Sequence, residues 1–373
     1  MRTALLTFHG SHNFGSVFQA YGLKRRIEGF GADCDIVNFR PRAQLDKYSL
    51  VPRMYGIGTI AKSLAKLPHF RQLSKSHEKY ENFISEYLVS APEFSTMSCF
   101  SDFPEYDVYI TGSDQVWGYS IPEFVKSDED IRPAYYFSFA EGKKISYASS
   151  TGEATAAQLA PYASLMKNYS SLSVREEKSV SVIEELTGRG VSCCLDPTFL
   201  IPRGEYRELA NLCHPELFPR DYVLLYSLQG MRIHREWMNL ANSISRRLGI
   251  PVLSVSPFCT RKSRFVEPIY DAGPLDILGL FANASLVLTD TFHGTLFSMH
   301  FSKDFVVFEP GRDDPRIKDV LRRVGLLERI AHDPDYGLEL AGIPVDYTAS
   351  DALRSREIAQ SEEYLRLALG VQS

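Results

Sequence analysis

Two patterns of apolar residues alternate along this chain. Short apolar runs bounded by turn residues predict strands, and longer segments with apolar residues every three or four positions predict helices. In the first half, Thr3–Phe8, Asp33–Phe39, Val108–Thr111, Lys144–Ser149, Leu172–Val174 and Val191–Leu195 read as strands. Between them, Val17–Glu28 sets Phe18, Tyr21 and Leu23 on one broad helical face, and Glu177–Leu186 is a second helix. The second half repeats the alternation, with strands at Tyr222–Ser227, Pro251–Val255, Ser285–Thr289 and Phe305–Phe308. Its helices are Arg235–Leu248, Leu275–Asn283 and one beginning within Thr295–His300. A last helix, Ala352–Leu369, carries Ile358, Leu365 and Leu369 on one face, with Leu353 and Tyr364 as weaker packing candidates. Strand–helix–strand repetition implies right-handed crossovers and mainly parallel sheets. The span 197–219, rich in Pro, Arg and Glu, has no clean strand pattern and reads as the interdomain connection. The expected fold class is α/β, with two facing Rossmann-like domains at 1–200 and 215–350. A C-terminal helix, 351–373, is expected to return to the first domain. Ligands of such sheets bind beyond the carboxyl ends of the strands, so a cleft between the halves is expected and the loops after strands carry the chemistry.

Composition changes this picture little. The chain has 373 residues, 44% hydrophobic and 23% charged, which fits two ordinary globular domains. The net charge of −5 gives no global pull toward nucleic acid or an anionic membrane, so attraction for anions must be local. The six cysteines form no C-x-x-C pair and no cluster with histidine at zinc spacing, so no metal site is expected. Cys193 and Cys194, adjacent in a strand, read as small buried hydrophobes on opposite faces. Scattered free thiols fit a reducing cytoplasm. Met1 to His9 reads as a first strand rather than a signal peptide, and no run of about 20 apolar residues could span a membrane.

Five loops could carry chemistry. The first, His9-Gly10-Ser11-His12-Asn13-Phe14-Gly15-Ser16, joins the first strand to the first helix; it either binds an anion or a sugar at the helix start or is a bare turn. It is not G-x-G-x-x-G, so dinucleotide binding is unsupported. In Gly112-Ser113-Asp114-Gln115-Val116-Trp117, the carboxylate, amide and hydroxyl either face a sugar, or Asp114 merely caps a helix. Arg175, in Ser173-Val174-Arg175-Glu176-Glu177, either grips a carboxylate or phosphate or pairs with a nearby Glu. His293, in Thr289-Asp290-Thr291-Phe292-His293-Gly294-Thr295, either lies beside a bound anion and moves protons near neutrality or is structural. Asp196-Pro197-Thr198 reads mainly as domain-boundary geometry. Separately, segment 40–75 is basic, with Ile57, Ile60, Leu64, Leu67 and Phe70 interleaved at roughly helical spacing. It either rests on an anionic membrane surface or packs on its own domain.

Taken together and in order, these loops resemble the polysaccharide pyruvyltransferase family. The matching stretches are Asn13 to Tyr21, Gly112 to Trp117, Ser146-Tyr147-Ala148-Ser149-Ser150, Ser173 to Glu176, Asp196-Pro197-Thr198 and Thr289 to Thr295, with Arg316-Ile317, Leu321 and Gly325-Leu326 similar to the family's closing segment. The resemblance implies a glycosyltransferase-B-like pair of domains, phosphoenolpyruvate as donor, no cofactor, and a sugar ketal as product. His293 would be the active-site histidine, Asp114 the acidic residue, and Arg175, Arg316, Gly294 and Thr295 the donor side. Asn13, Gly15, Gln19, Ser113, Gln115 and Trp117 would form the acceptor side. Several relatives carry arginine where this chain has Thr291, and Arg175, Arg312 and Arg316 are candidates to replace it. The acceptor expected by analogy is a sugar of a surface glycan or its lipid-linked precursor. The protein is then expected in the cytoplasm, with segment 40–75 able to bring it to the inner face of the membrane. Two rivals share the fold: a nucleotide-sugar glycosyltransferase and a non-catalytic glycan- or anion-binding relative.

Overall fold

Parallel strands dominate both halves of the computed structural model, which describes residues 1–50, 67–89, 92–125, 127, 129–213, 218–229, 235–256, 262–309 and 314–371. In the first half, β1 (Arg2–Leu6), β2 (Asp33–Ile36), β3 (Val108–Thr111) and β4 (Lys143–Ser146) form a parallel sheet in the order β2-β1-β3-β4. A short parallel pair, β5 (Ser173–Val174) and β6 (Ser192–Cys193), continues it through isolated bridges Ile145–Ser171 and Ser149–Val174. Serine hydroxyls complete that seam. Ser146 Oγ donates to Ser173 O (3.0 Å) and accepts from Ser173 N (2.8 Å), while Ser173 Oγ accepts from Ala148 N (3.0 Å). The serine-rich motifs at 146–150 and 173–176 therefore hold the sheet together where the backbone ladder is broken, satisfying polar groups that would otherwise be buried bare.

The second half is a six-stranded parallel sheet: β7 (Val223–Tyr226), β8 (Val252–Val255), β9 (Val266–Ile269), β10 (Leu286–Thr289), β11 (Asp304–Phe308) and β12 (Ile330–Ala331), in the order β12-β11-β10-β7-β8-β9. Counted within this half, the order is 6-5-4-1-2-3, that of the doubly wound Rossmann sheet. The inner strands are apolar without alternation because helices cover both faces of such sheets; Val223, Leu224, Leu225 and Tyr226 are all buried. The core between them joins Val223, Leu225, Leu240, Ile244, Val252, Leu288, Val306 and Phe308. The first half has a more aromatic core, in which Trp117 stacks on Tyr136 and Phe8 meets Tyr135 edge-on.

The chain divides into two compact units, 1–53 with 82–201 and 356–373, and 54–81 with 202–355. The break at 201/202 falls inside the span expected to connect the domains. Part of that span is nevertheless ordered, as a short 3₁₀ turn at Pro197–Leu200 and a helix at Arg203–Ala210 whose inner face buries Tyr206 and Leu209. The described residues 67–81 group with the second unit, although sequence order suggests the first. Ser76 Oγ donates to Ala272 O (2.7 Å), Lys79 pairs with Asp276 (2.8 Å) and His69 stacks on Tyr270. The rest of the basic segment, including Ile57, Ile60 and Leu64, lies outside the described residues.

The terminal helix is longer than expected, Tyr347–Leu369. From Arg356 onward it belongs to the first unit, where Leu365, Ala368 and Leu369 are buried, Ser361 Oγ accepts from Leu195 N (2.9 Å) and Tyr364 donates to Ser146 O (2.9 Å). Leu353 is exposed instead, and Arg354 takes the buried position beside it, donating to Met299 O (3.1 Å). Strands β9 and β12 escape the periodicity because β9 carries Pro268 at the sheet edge and β12 is two residues long. Of the described cysteines, Cys194 is buried, Cys193 only half so, and Cys99 is exposed.

Candidate functional site

In each unit the strand order reverses once, between β1 and β3 in the first and between β7 and β10 in the second. Loops leaving the carboxyl ends of two such strands diverge and leave a crevice, where ligands of these sheets bind. Of the five loops singled out in the sequence, three leave β1, β3 and β10, the strands that bound these reversals on one or both sides.

In the first unit, the helix Phe14–Gly29 starts two turns after β1. Asn13 caps it, its Oδ1 accepting from Gly15 N (2.9 Å) and Ser16 N (3.4 Å). The donors expected to meet an anion or sugar are thus taken by Asn13 itself. Gln19 is fully buried and braces the helix to the strand, its Nε2 donating to Thr7 Oγ1 and Ser16 O (both 2.9 Å). Ser113 is buried, and its carbonyl accepts from Thr7 Oγ1 (2.7 Å). Trp117 is a core residue whose Nε1 donates to Tyr135 O (3.2 Å). Asn13, Gln19, Ser113 and Trp117, expected on the acceptor side, therefore build the loops rather than line them.

Asp114 and Gln115 remain half-buried at this crossover. No helix follows Asp114, so it is not a helix cap. It holds the left-handed conformation at φ 74°, uncommon outside glycine. Its Oδ2 accepts from Ser16 Oγ (2.7 Å) and its Oδ1 from Gln115 N (2.8 Å). Such local strain is tolerated where surrounding bonds fix the backbone; here Ser150 N donates to Asp114 O (2.9 Å).

Arg175 departs from its expected role. Its side chain is 2% exposed, its Nε donates to Glu176 (2.9 Å), and its Nη1 donates to Asp196 (2.8 Å) and Ser113 Oγ (3.3 Å). Burial opposes its charge, but Glu176, Asp196 and Asp114 outweigh that and hold it more firmly protonated than an ordinary arginine. Asp196 also caps the Pro197–Leu200 turn by accepting from Thr198 N (3.0 Å) and Thr198 Oγ1 (2.9 Å). Arg175 is thus a buried tie between β5, the Ser113 loop and the end of the unit.

In the second unit, the loop after β10 runs directly into the helix Phe292–His300. Thr291 is its cap, with Oγ1 accepting from Gly294 N (2.8 Å) and touching Thr289 Oγ1 (3.0 Å). Gly294 is required sterically, since a Cβ there would lie 2.1 Å from Thr289 Oγ1 and 2.5 Å from Thr291 Oγ1. Thr295 is fully buried and donates to Thr291 O (3.0 Å). Gly294 and Thr295, expected to hold the donor, shape the turn instead.

His293 is half-buried in the first turn of that helix, with its ring edge-on to Phe292 at 5.1 Å. Arg316, from the helix Pro315–Arg323, places its guanidinium 5.7 Å from the centre of the same Phe292 ring and is held in a fork by Asp314, 2.9 and 2.6 Å. Phe292 therefore brings together the histidine and one of the arginines proposed to compensate for Thr291. Arg312 lies outside the described residues.

Asp290 was not singled out from the sequence. It follows β10 directly, and its Oδ2 accepts from Ser227 Oγ (2.9 Å) across the reversal, just beyond β7. Its Oδ1 is buried and has no hydrogen-bond partner among the described residues. Burial pushes its carboxyl up to about 6, opposed chiefly by the Ser227 hydroxyl and more weakly by the nearby polar groups of the backbone and of Gln229. Only the strand-end position of Asp290 was visible in the sequence; the serine opposite it is 63 residues away.

Two Rossmann-like units of parallel strands place the chain in the GT-B fold class. The UDP-GlcNAc 2-epimerase of Methanocaldococcus jannaschii, solved with UDP-GlcNAc and UDP, superposes with a TM-score of 0.56 at 11% identity over 94% of each chain. A putative UDP-N-acetylglucosamine 2-epimerase from Listeria monocytogenes gives 0.53 at 9% identity over 98% of this chain and 94% of its own. The family model described as polysaccharide pyruvyl transferase matches residues 13–312, and the chain belongs to that family. No curated protein matches the chain in sequence. Among the described residues, no helix is long and apolar enough to cross a membrane.

Proposed function

We propose that this protein transfers the pyruvyl group of phosphoenolpyruvate to two hydroxyls of a sugar in a surface polysaccharide or its lipid-linked precursor, forming a ketal. Family membership supports pyruvyl transfer to a polysaccharide. The observation that carries the donor assignment is the pairing of His293 and Arg316 on Phe292, at the positive end of the helix Phe292–His300. Phosphoenolpyruvate carries a phosphate and a carboxylate, and a fixed guanidinium, an imidazole and a helix start are groups that bind such anions. In this reading, Arg316 takes the place of the arginine absent at Thr291, and His293 binds the phosphate or passes it a proton as it leaves. Asp114, held by Ser16 and Gln115, takes the proton of the attacking sugar hydroxyl. The protein acts on the cytoplasmic side, with segment 40–75 giving peripheral contact with anionic lipid. Equal co-sedimentation with neutral and anionic vesicles would dismiss that contact.

A thermal-shift comparison tests the donor, because a ligand of the folded state raises Tm as its concentration passes Kd. Phosphoenolpyruvate should raise Tm in wild type and much less in Arg316→Ala. Stabilisation by a nucleotide sugar and none by phosphoenolpyruvate would replace this reading with that of a nucleotide-sugar glycosyltransferase.

A further inference from the structure

Ketal formation from an enol phosphate begins at a carbon that neither His293 nor Arg316 is needed to protonate. The methylene, C3, must gain a proton before C2 becomes electrophilic. That step needs an acid that still holds its proton near neutrality and lies beside the phosphate-binding groups. Asp290 is a candidate by its place in the fold: burial holds its proton more tightly than in an ordinary carboxyl, and it directly precedes the helix that carries His293. It sits at the strand-order reversal of the second unit, three residues before His293 in the first turn of the following helix. One carboxyl oxygen is fixed by Ser227 Oγ at 2.9 Å, and the other is buried without a partner among the described residues. An ionised carboxylate in that position would leave a buried negative oxygen unsolvated, which is costly. With a proton on it, the same oxygen becomes an O–H donor that lacks only an acceptor, and a bound substrate supplies one. The upward shift of this carboxyl agrees with that geometry.

We propose that Asp290 is the general acid that protonates the donor's methylene carbon, with Ser227 as the residue that positions it. This assignment rests on the pyruvyl-transfer reading above. The C2=C3 π pair forms the new C3–H bond with the Asp290 proton, giving a methyl group and leaving C2 electron-poor. A sugar hydroxyl oxygen bonds to C2 and loses its proton to a base. Phosphate departs with the C2–O bond pair, and a second hydroxyl closes the ring on C2, its proton going to the departing phosphate.

The test compares the full-length wild type with Asp290→Asn. Binding of phosphoenolpyruvate is measured by calorimetry, phosphate release by assay with glycosides that carry free hydroxyl pairs, and Tm at pH 8. The expected result is phosphoenolpyruvate affinity within about threefold of wild type, phosphate release at least 100-fold slower, and a Tm equal to or above that of wild type. Phosphate release within tenfold of wild type overturns the assignment. So does a variant that loses donor binding and melts lower, since the carboxyl would then be structural. Ser227→Ala, which keeps the acid but loosens it, should slow release by about tenfold while leaving donor affinity unchanged. If wild type itself neither binds phosphoenolpyruvate nor releases phosphate from it, the pyruvyl-transfer reading fails, and this assignment fails with it.

Discussion

The two strand-order reversals in this protein are built alike and equipped differently. Each opposes a serine that follows the unit's first strand with an aspartate after the strand across the reversal: Ser16, in the first turn of the helix after β1, with Asp114 at 2.7 Å, and Ser227, directly after β7, with Asp290 at 2.9 Å. Asp114 has donors on both oxygens and a buried arginine nearby, in a loop tied down by Arg175, Asp196 and Ser113. Among the described residues Asp290 has a donor on Oδ2 alone, and burial lifts its carboxyl to about 6. The same topology thus offers one carboxylate with both oxygens hydrogen-bonded and one that burial inclines to keep its proton. Environment, not residue type, separates a base from an acid in such sites.

That contrast can be broken or sharpened by four measurements. Replacing His293 by alanine should lower turnover with phosphoenolpyruvate by about 100- to 10,000-fold while leaving the circular dichroism spectrum unchanged. A loss under about tenfold would take the histidine out of the chemistry and weaken the second unit's claim to the donor. Arg175→Ala should act on stability instead. It strands Asp196 and Glu176 in the interior, and removing one member of a buried ionic set costs about 3–5 kcal/mol, to be read from urea unfolding. If stability held and phosphoenolpyruvate affinity dropped a hundredfold, Arg175 would be a donor ligand after all.

Asp290 gives a pH signature. Its carboxyl is raised in the fold from about 3.8 to about 6, so the folded state holds the proton more tightly than the unfolded chain does. Stability from this group is present below about pH 4 and is lost as pH rises through about 6. Asp290→Asn, which cannot ionise, should therefore gain on the order of 1–3 kcal/mol over wild type at pH 8 and nothing at pH 4. The same advantage at both pH values would show that the carboxyl is not strained by its charge. The smallest effect belongs to Ser16→Ala, which removes one hydrogen bond from Asp114 and should cost about 0.5–1.5 kcal/mol. A larger loss would mean that the left-handed backbone at Asp114 depends on that hydroxyl.

Much of the scaffold was readable along the chain. The helix Arg235–Leu248 and the strand Val108–Thr111 fall where periodicity places them, because a long amphipathic stripe and a short apolar run bounded by polar residues are local signals. The site was readable in part. His293 and Asp114 stand out as polar residues just after strands, and both remain half-buried at the reversals. Asn13, Gln19, Ser113, Trp117, Gly294 and Thr295 looked equally available, but the fold spends their polar groups on capping, bracing and close packing. Nothing in Ser173-Val174-Arg175-Glu176 reveals whether its arginine faces solvent, since the partner Asp196 arrives from 21 residues away.

Most of the elements, the parallel sheets and the family followed from the sequence alone, because each depends on signals spanning a few turns of chain. Which carboxylate is satisfied and which is stranded was decided only in three dimensions. A hydrogen-bond donor and a low-dielectric surrounding are brought to a side chain by strands far apart in sequence, and they set whether it keeps its proton.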